Sequence, residues 1–150
     1  MRLFLAGIMQ GSHIDAVLHP QGYRQRLKSL LAAHLPEAEV YDPLADHVNS
    51  IGYDDDTGRR VFLHHNRMCR EVDVLVAFLP QASMGTAIEM WEAWQHGAAV
   101  IAISPMTANW AVRFLSHHIY PDLESFETDL KSGRLAGRIA AILARRERPV

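Results

Sequence analysis

The chain has 150 residues and a mass of 16.9 kDa, 49% hydrophobic and 21% charged, which is enough for one core and too little for two ordinary domains, so a single domain over 1–150 is expected. Fifteen Lys+Arg against seventeen Asp+Glu leave a net charge of −2, which argues against a nucleic-acid polymer as partner. The single cysteine, Cys69, excludes an internal disulfide and a thiolate zinc cluster, and the apolar opening at 1–9 is too short for a signal peptide or a membrane span; a reduced, cytoplasmic protein is expected.

Leu3 to Ile8 is a continuous apolar run ending in a polar, Gly-containing loop, the pattern of a strand buried on both faces. Pro20 is placed as a first-turn proline. Tyr23, Leu27, Leu30, Leu31 and His34 follow at helical spacing until Pro36. Ala38 to Tyr41 reads as a second strand, and the polar stretch from Asp42 to Gly58 reads as a long functional loop. Arg59 to Arg70 is compatible with a helix through Val61, Met68 and Cys69. Asp73 to Leu79 is a clear buried strand, followed by a turn and a helix to Gly97, a natural C-cap. Ala98 to Ile103 is the fourth strand. A helix over Thr107 to Leu115, a short strand at His118 to Tyr120, a helix capped by Asp122 and a last helix beyond Gly133 complete the chain. Strands alternating with helices imply parallel βαβ units, whose ligands bind at the carboxyl ends of the strands.

The loops after the first, third and fourth strands therefore hold the candidates. Ser83-Met84-Gly85-Thr86-Ala87-Ile88-Glu89 lies between a buried strand and a helix. Gly85 permits close backbone approach, while Ser83, Thr86 and the free amides of the helix start suit an anion such as a phosphate. Glu89 falls about one turn into the helix and suits a nucleophile or base, though a glutamate there is also favoured by the helix dipole and Ser83 also reads as an N-cap. Gly7, Met9, Gln10, Gly11 and Ser12 form a first loop whose backbone can contact a ligand, but it matches neither GxGxxG nor the Walker pattern. Asp54-Asp55-Asp56 fails the EF-hand spacing and reads as a solvated loop or a helix start. His64-His65 and His117-His118 lack ligand spacing, so no metal is expected; His64 or His65 remains open as a proton donor or substrate contact. Arg134, Arg138, Arg145, Arg146 and Arg148 read as a solvated basic face.

Ser83-x-Gly85-Thr86-x-x-Glu89 after Val74-Leu75-Val76-Ala77, with Phe4-Leu5-Ala6-Gly7 before a polar loop, resembles the nucleoside 2-deoxyribosyltransferase superfamily, which includes nucleoside 5′-monophosphate N-glycosidases. The resemblance covers about the first two-thirds of the chain. It implies a flavodoxin-like or Rossmann-like three-layer α/β/α fold with roughly five parallel strands. It also implies a nucleoside or nucleotide substrate, no cofactor, and a homo-oligomer with shared active sites. By the same resemblance Glu89 is the nucleophile that attacks the anomeric carbon, as in retaining glycosidases. Family transferases carry Asp six positions before this glutamate; Ser83 stands there instead, as in the nucleotide-cleaving branch, where the serine contacts the 5′-phosphate. His65 stands where the family has an aspartate on the helix before the third strand, so it either takes over that role or marks a binder that has lost the chemistry. Asp73 is a candidate to assist. Asn109 and Arg113 lie in the segment through which relatives reach a neighbouring subunit's ligand.

Overall fold

The first, third and fourth strands alternate their side chains between two apolar layers, and this alternation dictates a sheet covered by helices on both faces. The structure, a computed structural model, describes residues 1–11 and 13–145. Ser12 of the first loop, and Arg146 and Arg148 of the basic face, lie outside the described residues. The elements are β1 (Arg2–Gly7), α1 (Gly22–His34), β2 (Glu39–Tyr41), α2 (Pro43–Asp46), a 3-10 turn (Ser50–Gly52), α3 (Asp55–Met68), β3 (Val74–Phe78), α4 (Met84–Gln95), β4 (Ala99–Ile103), α5 (Trp110–Leu115), β5 (His118–Tyr120), α6 (Leu123–Lys131) and α7 (Arg134–Ala144). All strand pairs are parallel, in the order β2-β1-β3-β4-β5. Strand order therefore reverses between β1 and β3, and the loops leaving these two strands flank the switch point.

One face of the sheet offers Leu3, Leu5, Val74, Val76, Ala99, Ile101 and Ile103, which pack with α1, α6 and α7. The other offers Phe4, Ala6, Leu75, Ala77, Val100 and Ala102, and packs against Met90 and Ala93 of α4, Val112 of α5, and Cys69. Ala6, Ala77 and Ala102 are in register across the three central strands. This row of small side chains leaves depth beneath α4 at the carboxyl end of the sheet, where larger residues would fill it.

Several boundaries differ from the sequence expectation. Pro20 is not in the first turn: it precedes the N-cap Gln21, and α1 starts at Gly22. The stretch 42–58 is not one loop. Asp42 caps α2 by accepting from Leu44 N, the 3-10 turn follows, and Asp54 accepts from Thr57 N to start α3 at Asp55, earlier than Arg59. Inside α3 the buried side chains are His65 and Asn66, while Phe62 and Leu63 are exposed. At the far end of α4, Gly97 adopts φ +80, a left-handed conformation that suits glycine after a helix. Among the described residues no helix is long and apolar enough to cross a membrane.

Leu75 sits fully buried in the central strand, among the layer beneath α4. Leu75→Ala is expected to cost about 2 to 5 kcal/mol of stability, read as a lower urea midpoint at unchanged slope.

Candidate functional site

The β3–α4 connection delivers the motif residues to the switch point. Ser83 is the N-cap of α4, with its Oγ accepting from Thr86 N at 3.4 Å and from Thr86 Oγ1 at 3.0 Å. Thr86 is buried, so its hydroxyl serves this local bond. Ser83 remains half-exposed with a hydroxyl proton still to give. A Cβ placed on Gly85 would find its nearest neighbour, Phe62 Cε2 of α3, at 4.0 Å, so the space over Gly85 is open. A cavity of about 310 Å³ opens beside Ser83, between the starts of α4 and α5, lined by Gly11, Leu79, Met84, Met90, Met106 and Asn109 among others. That volume is at the small end of ligand pockets. Asn109 is the N-cap of α5, its Oδ1 accepting from Ala111 N and Val112 N at 3.0 and 3.3 Å.

Glu89 follows Gly85 by one turn on the same face of α4. It does not line that cavity; it lies on the side of α4 towards α1 and α3. The residue is partly exposed, with protein crowded around its carboxyl. Burial pushes the carboxyl from 4.5 up to about 8, against the opposing pull of the Arg24 guanidinium. Tyr23 and Cys69 also feel the Glu89 charge. Burial is the main cause in both: Tyr23 is raised to about 12, with Arg24 opposing and Asp42 and then Glu89 adding to the rise, and the Cys69 thiol is pushed well up, with Glu89 and Glu92 adding. α3 packs along α4, with Phe62 beside Gly85 and Cys69 within the electrostatic reach of Glu89.

His65 is buried on α3, its Nε2 sharing a hydrogen bond with Tyr41 Oη at 3.1 Å and its ring against that of His47 at 5.2 Å. Burial, followed by the neighbouring His47 and His64, lowers it to about 4, so the imidazole is neutral near neutrality. His47 in turn pairs with Tyr53 Oη through Nδ1 at 3.0 Å. Asn66 turns its Nδ2 back to the Phe62 carbonyl.

The first loop is tied down by its own backbone. Met9 O accepts from His19 N at 2.8 Å and Gln10 O from His13 N at 3.1 Å. Gly7 lies under the Tyr23 ring, where a Cβ would collide with Tyr23 Oη. Gly11 takes φ +58 and reaches the cavity. Asp73 is a correction: it sits at the amino end of β3 and accepts from Arg2 N at 2.8 Å through Oδ2, at the end of the sheet opposite the motif loop. Arg113 is exposed on α5, with its guanidinium over the Phe114 ring at 5.3 Å. Sequence reasoning missed Arg24, Tyr23, Tyr41, Asp42 and His47, all of which crowd the carboxyl ends of β1 and β2.

No protein-family model and no curated protein matches the chain. Solved structures do. A 2-deoxyribosyltransferase from Bacillus psychrosaccharolyticus shares the fold with a TM-score of 0.64 at 15% identity, over 85% of this chain and 90% of that one. A conserved protein from Enterococcus faecalis gives 0.64 at 18% identity, over 88% and 98%. A CMP N-glycosidase from Clostridium botulinum gives 0.52 at 21% identity, over 88% and 99%. The three-layer α/β fold with its five-stranded parallel sheet is thus one that a 2-deoxyribosyltransferase and a CMP N-glycosidase also adopt.

Because the folded protein holds a proton on Glu89 that the unfolded chain releases above its ordinary value of 4.5, this group's contribution to stability falls as the pH rises from 4.5 through about 8. Glu89→Gln removes that loss. The difference in melting temperature, variant minus wild type, is expected to grow between about pH 5 and about pH 8.5 in thermal scans.

Proposed function

We propose that this chain, acting as a single domain in the cytoplasm, cleaves or transfers the N-glycosidic bond of a nucleoside or nucleoside 5′-monophosphate, with Glu89 as the nucleophile. The observation that carries the reading is the Glu89 carboxyl, crowded by protein, one turn behind an open Ser83-x-Gly85 helix start at the switch point of a parallel sheet. The fold shared with a 2-deoxyribosyltransferase and a CMP N-glycosidase supports the same class of bond.

In the first step the Glu89 carboxylate attacks C1′, the C1′–N bond breaks, and its electron pair leaves with the base, which takes up a proton. In the second, water or a second base attacks C1′ and frees the carboxylate, so configuration is retained overall. The developing positive charge on the sugar favours the ionised form of Glu89 and offsets the burial that raises its carboxyl. Ser83, Gly85 and the free α4 amides hold the sugar or its 5′-phosphate, with Gly7, Met9, Gln10 and Gly11 of the first loop against it, and Thr86 fixes the Ser83 hydroxyl. His65, neutral and bonded to Tyr41, suits an orienting hydrogen bond better than proton delivery.

A second copy of the chain completes the site in this reading. Trp110 is 76% exposed, and Phe114 and Met84 are also exposed beside the mouth of the cavity. Packing a second copy there buries this apolar patch and carries Asn109 and Arg113 towards the neighbour's ligand.

Incubation with a panel of nucleosides and monophosphates, followed by chromatography of free base, tests the reaction. Glu89→Ala is expected to lower base release by at least about 1,000-fold. In the wild type kcat/KM is expected to rise with pH through about 8, as Glu89 loses its proton. No base from any member of the panel would leave a nucleotide-binding protein of the same fold. Light scattering after size exclusion is expected to show a dimer or larger assembly, and Trp110→Glu to shift it to monomer with loss of activity.

A further inference from the structure

β2 is short. It stops at Tyr41, in register with Phe4, while β1 continues to Gly7. Beyond that register the carbonyls of Leu5 and Gly7 are taken by a side chain, Arg24, whose Nη1 donates to Leu5 O at 2.9 Å and whose Nη2 donates to Gly7 O at 3.3 Å. Nη1 also reaches Asp42 Oδ1 at 2.9 Å, and Nε donates to Gln21 Oε1 at 2.8 Å. Gln21 Nε2 in turn donates to the carbonyls of Ile8 and His19, the two ends of the first loop, at 3.0 and 2.7 Å. The Arg24 side chain is 4% exposed, so this charge is held out of water by design of the fold and not by chance of the surface.

α4 packs on β1, the strand whose carboxyl end Arg24 holds, and this brings the guanidinium within electrostatic reach of Glu89. The ionisable groups within electrostatic reach of that carboxyl are Arg24 and Tyr23 from α1 and Cys69 at the end of α3. β1, β3 and β4 bring apolar side chains to this face, and α5 brings Val112. Tyr23 and Cys69 are neutral near neutrality, which leaves Arg24 as the buried positive charge within electrostatic reach of Glu89.

We propose that Arg24, backed by Asp42, is a positioning residue of the Glu89 centre: its guanidinium closes the strand edge that β2 leaves open and holds a positive charge towards Glu89 without touching the substrate. Asp42 is the counterweight, since its carboxylate draws on the same guanidinium and on Lys28 Nζ at 3.3 Å. The kinetic part of this inference rests on the glycosidic-bond reading; the electrostatic part does not.

The test is the pH midpoint of the Glu89 carboxyl by carbon-13 NMR, assigned with Glu89→Gln, in Arg24→Met, Arg24→Lys and Asp42→Asn. Arg24→Met is expected to raise the midpoint by about one pH unit or more, because the stabilising charge is gone. Asp42→Asn is expected to lower it, because Arg24 is no longer balanced. Opposite shifts from two substitutions in one ion pair are not produced by loosened packing. Arg24→Lys is expected to hold the midpoint near the wild-type value while kcat falls about tenfold, with KM within about twofold, as a point charge lacks the fork that ties both carbonyls. Should Arg24→Met not fold, Asp42→Asn and Arg24→Lys carry the test. A midpoint unmoved in folded Asp42→Asn, or moved upward, overturns the proposal. So does wild-type kcat in Arg24→Lys. Opposite shifts in a protein that releases no base uphold the charge on Glu89 and refute the glycosidic-bond reading alone.

Discussion

A strand that outruns its neighbour leaves carbonyl oxygens facing the interior with no amide to meet them, and β1 is in this position past Phe4. An unpaired buried carbonyl costs about 1 to 3 kcal/mol. Arg24 meets Leu5 and Gly7 with one planar group, and Asp42 balances its charge while also capping α2. Such a pair is only weakly stabilising against an apolar alternative of the same shape, because both ions surrender their hydration. Its effect is to hold the ends of β1, β2 and α1 in one arrangement, and the first loop and the Glu89 surroundings inherit that arrangement.

Much of this architecture was legible from residue order. β1, β3 and β4 announced themselves as unbroken apolar runs because parallel strands covered on both faces have no side that must be polar. β5 and the caps at Ser83 and Asp122 followed from local turn chemistry, which acts within a few residues. The polar hub did not show. Tyr23 was read as part of the apolar stripe of α1, and an arginine next to it reads as solvated, since only the truncation of β2 creates the acceptors that draw Arg24 inward. Asp73 failed for a related reason: nearness to a strand does not say which end of the sheet a residue serves. The stretch 42–58 was obscured because Asp42 and Asp54 cap helices whose apolar content is low.

α4 acts as a partition. Ser83 and Gly85 stand at its head, the cavity lies on its α5 side, and Glu89 faces α1 and α3. The row Ala6, Ala77, Ala102 leaves depth beneath the helix at that end, while Met84, Ile88 and Trp91 are exposed on its outer surface, Trp91 stacked on Trp94 at 5.7 Å. The arrangement joins, on one helix of twelve residues, an inward face that carries the Glu89 carboxyl to an outward apolar face.

The raised carboxyl has a thermodynamic consequence. Near neutrality burial favours the O–H form of Glu89 over the anion. A ligand carrying a cationic ring, as an iminosugar does, would have to displace that hydrogen ion to gain its ion pair. Its affinity would therefore climb with alkalinity, and its heat of binding would depend on the ionisation enthalpy of the buffer, whereas a neutral analogue of the same shape would bind with a heat indifferent to the medium.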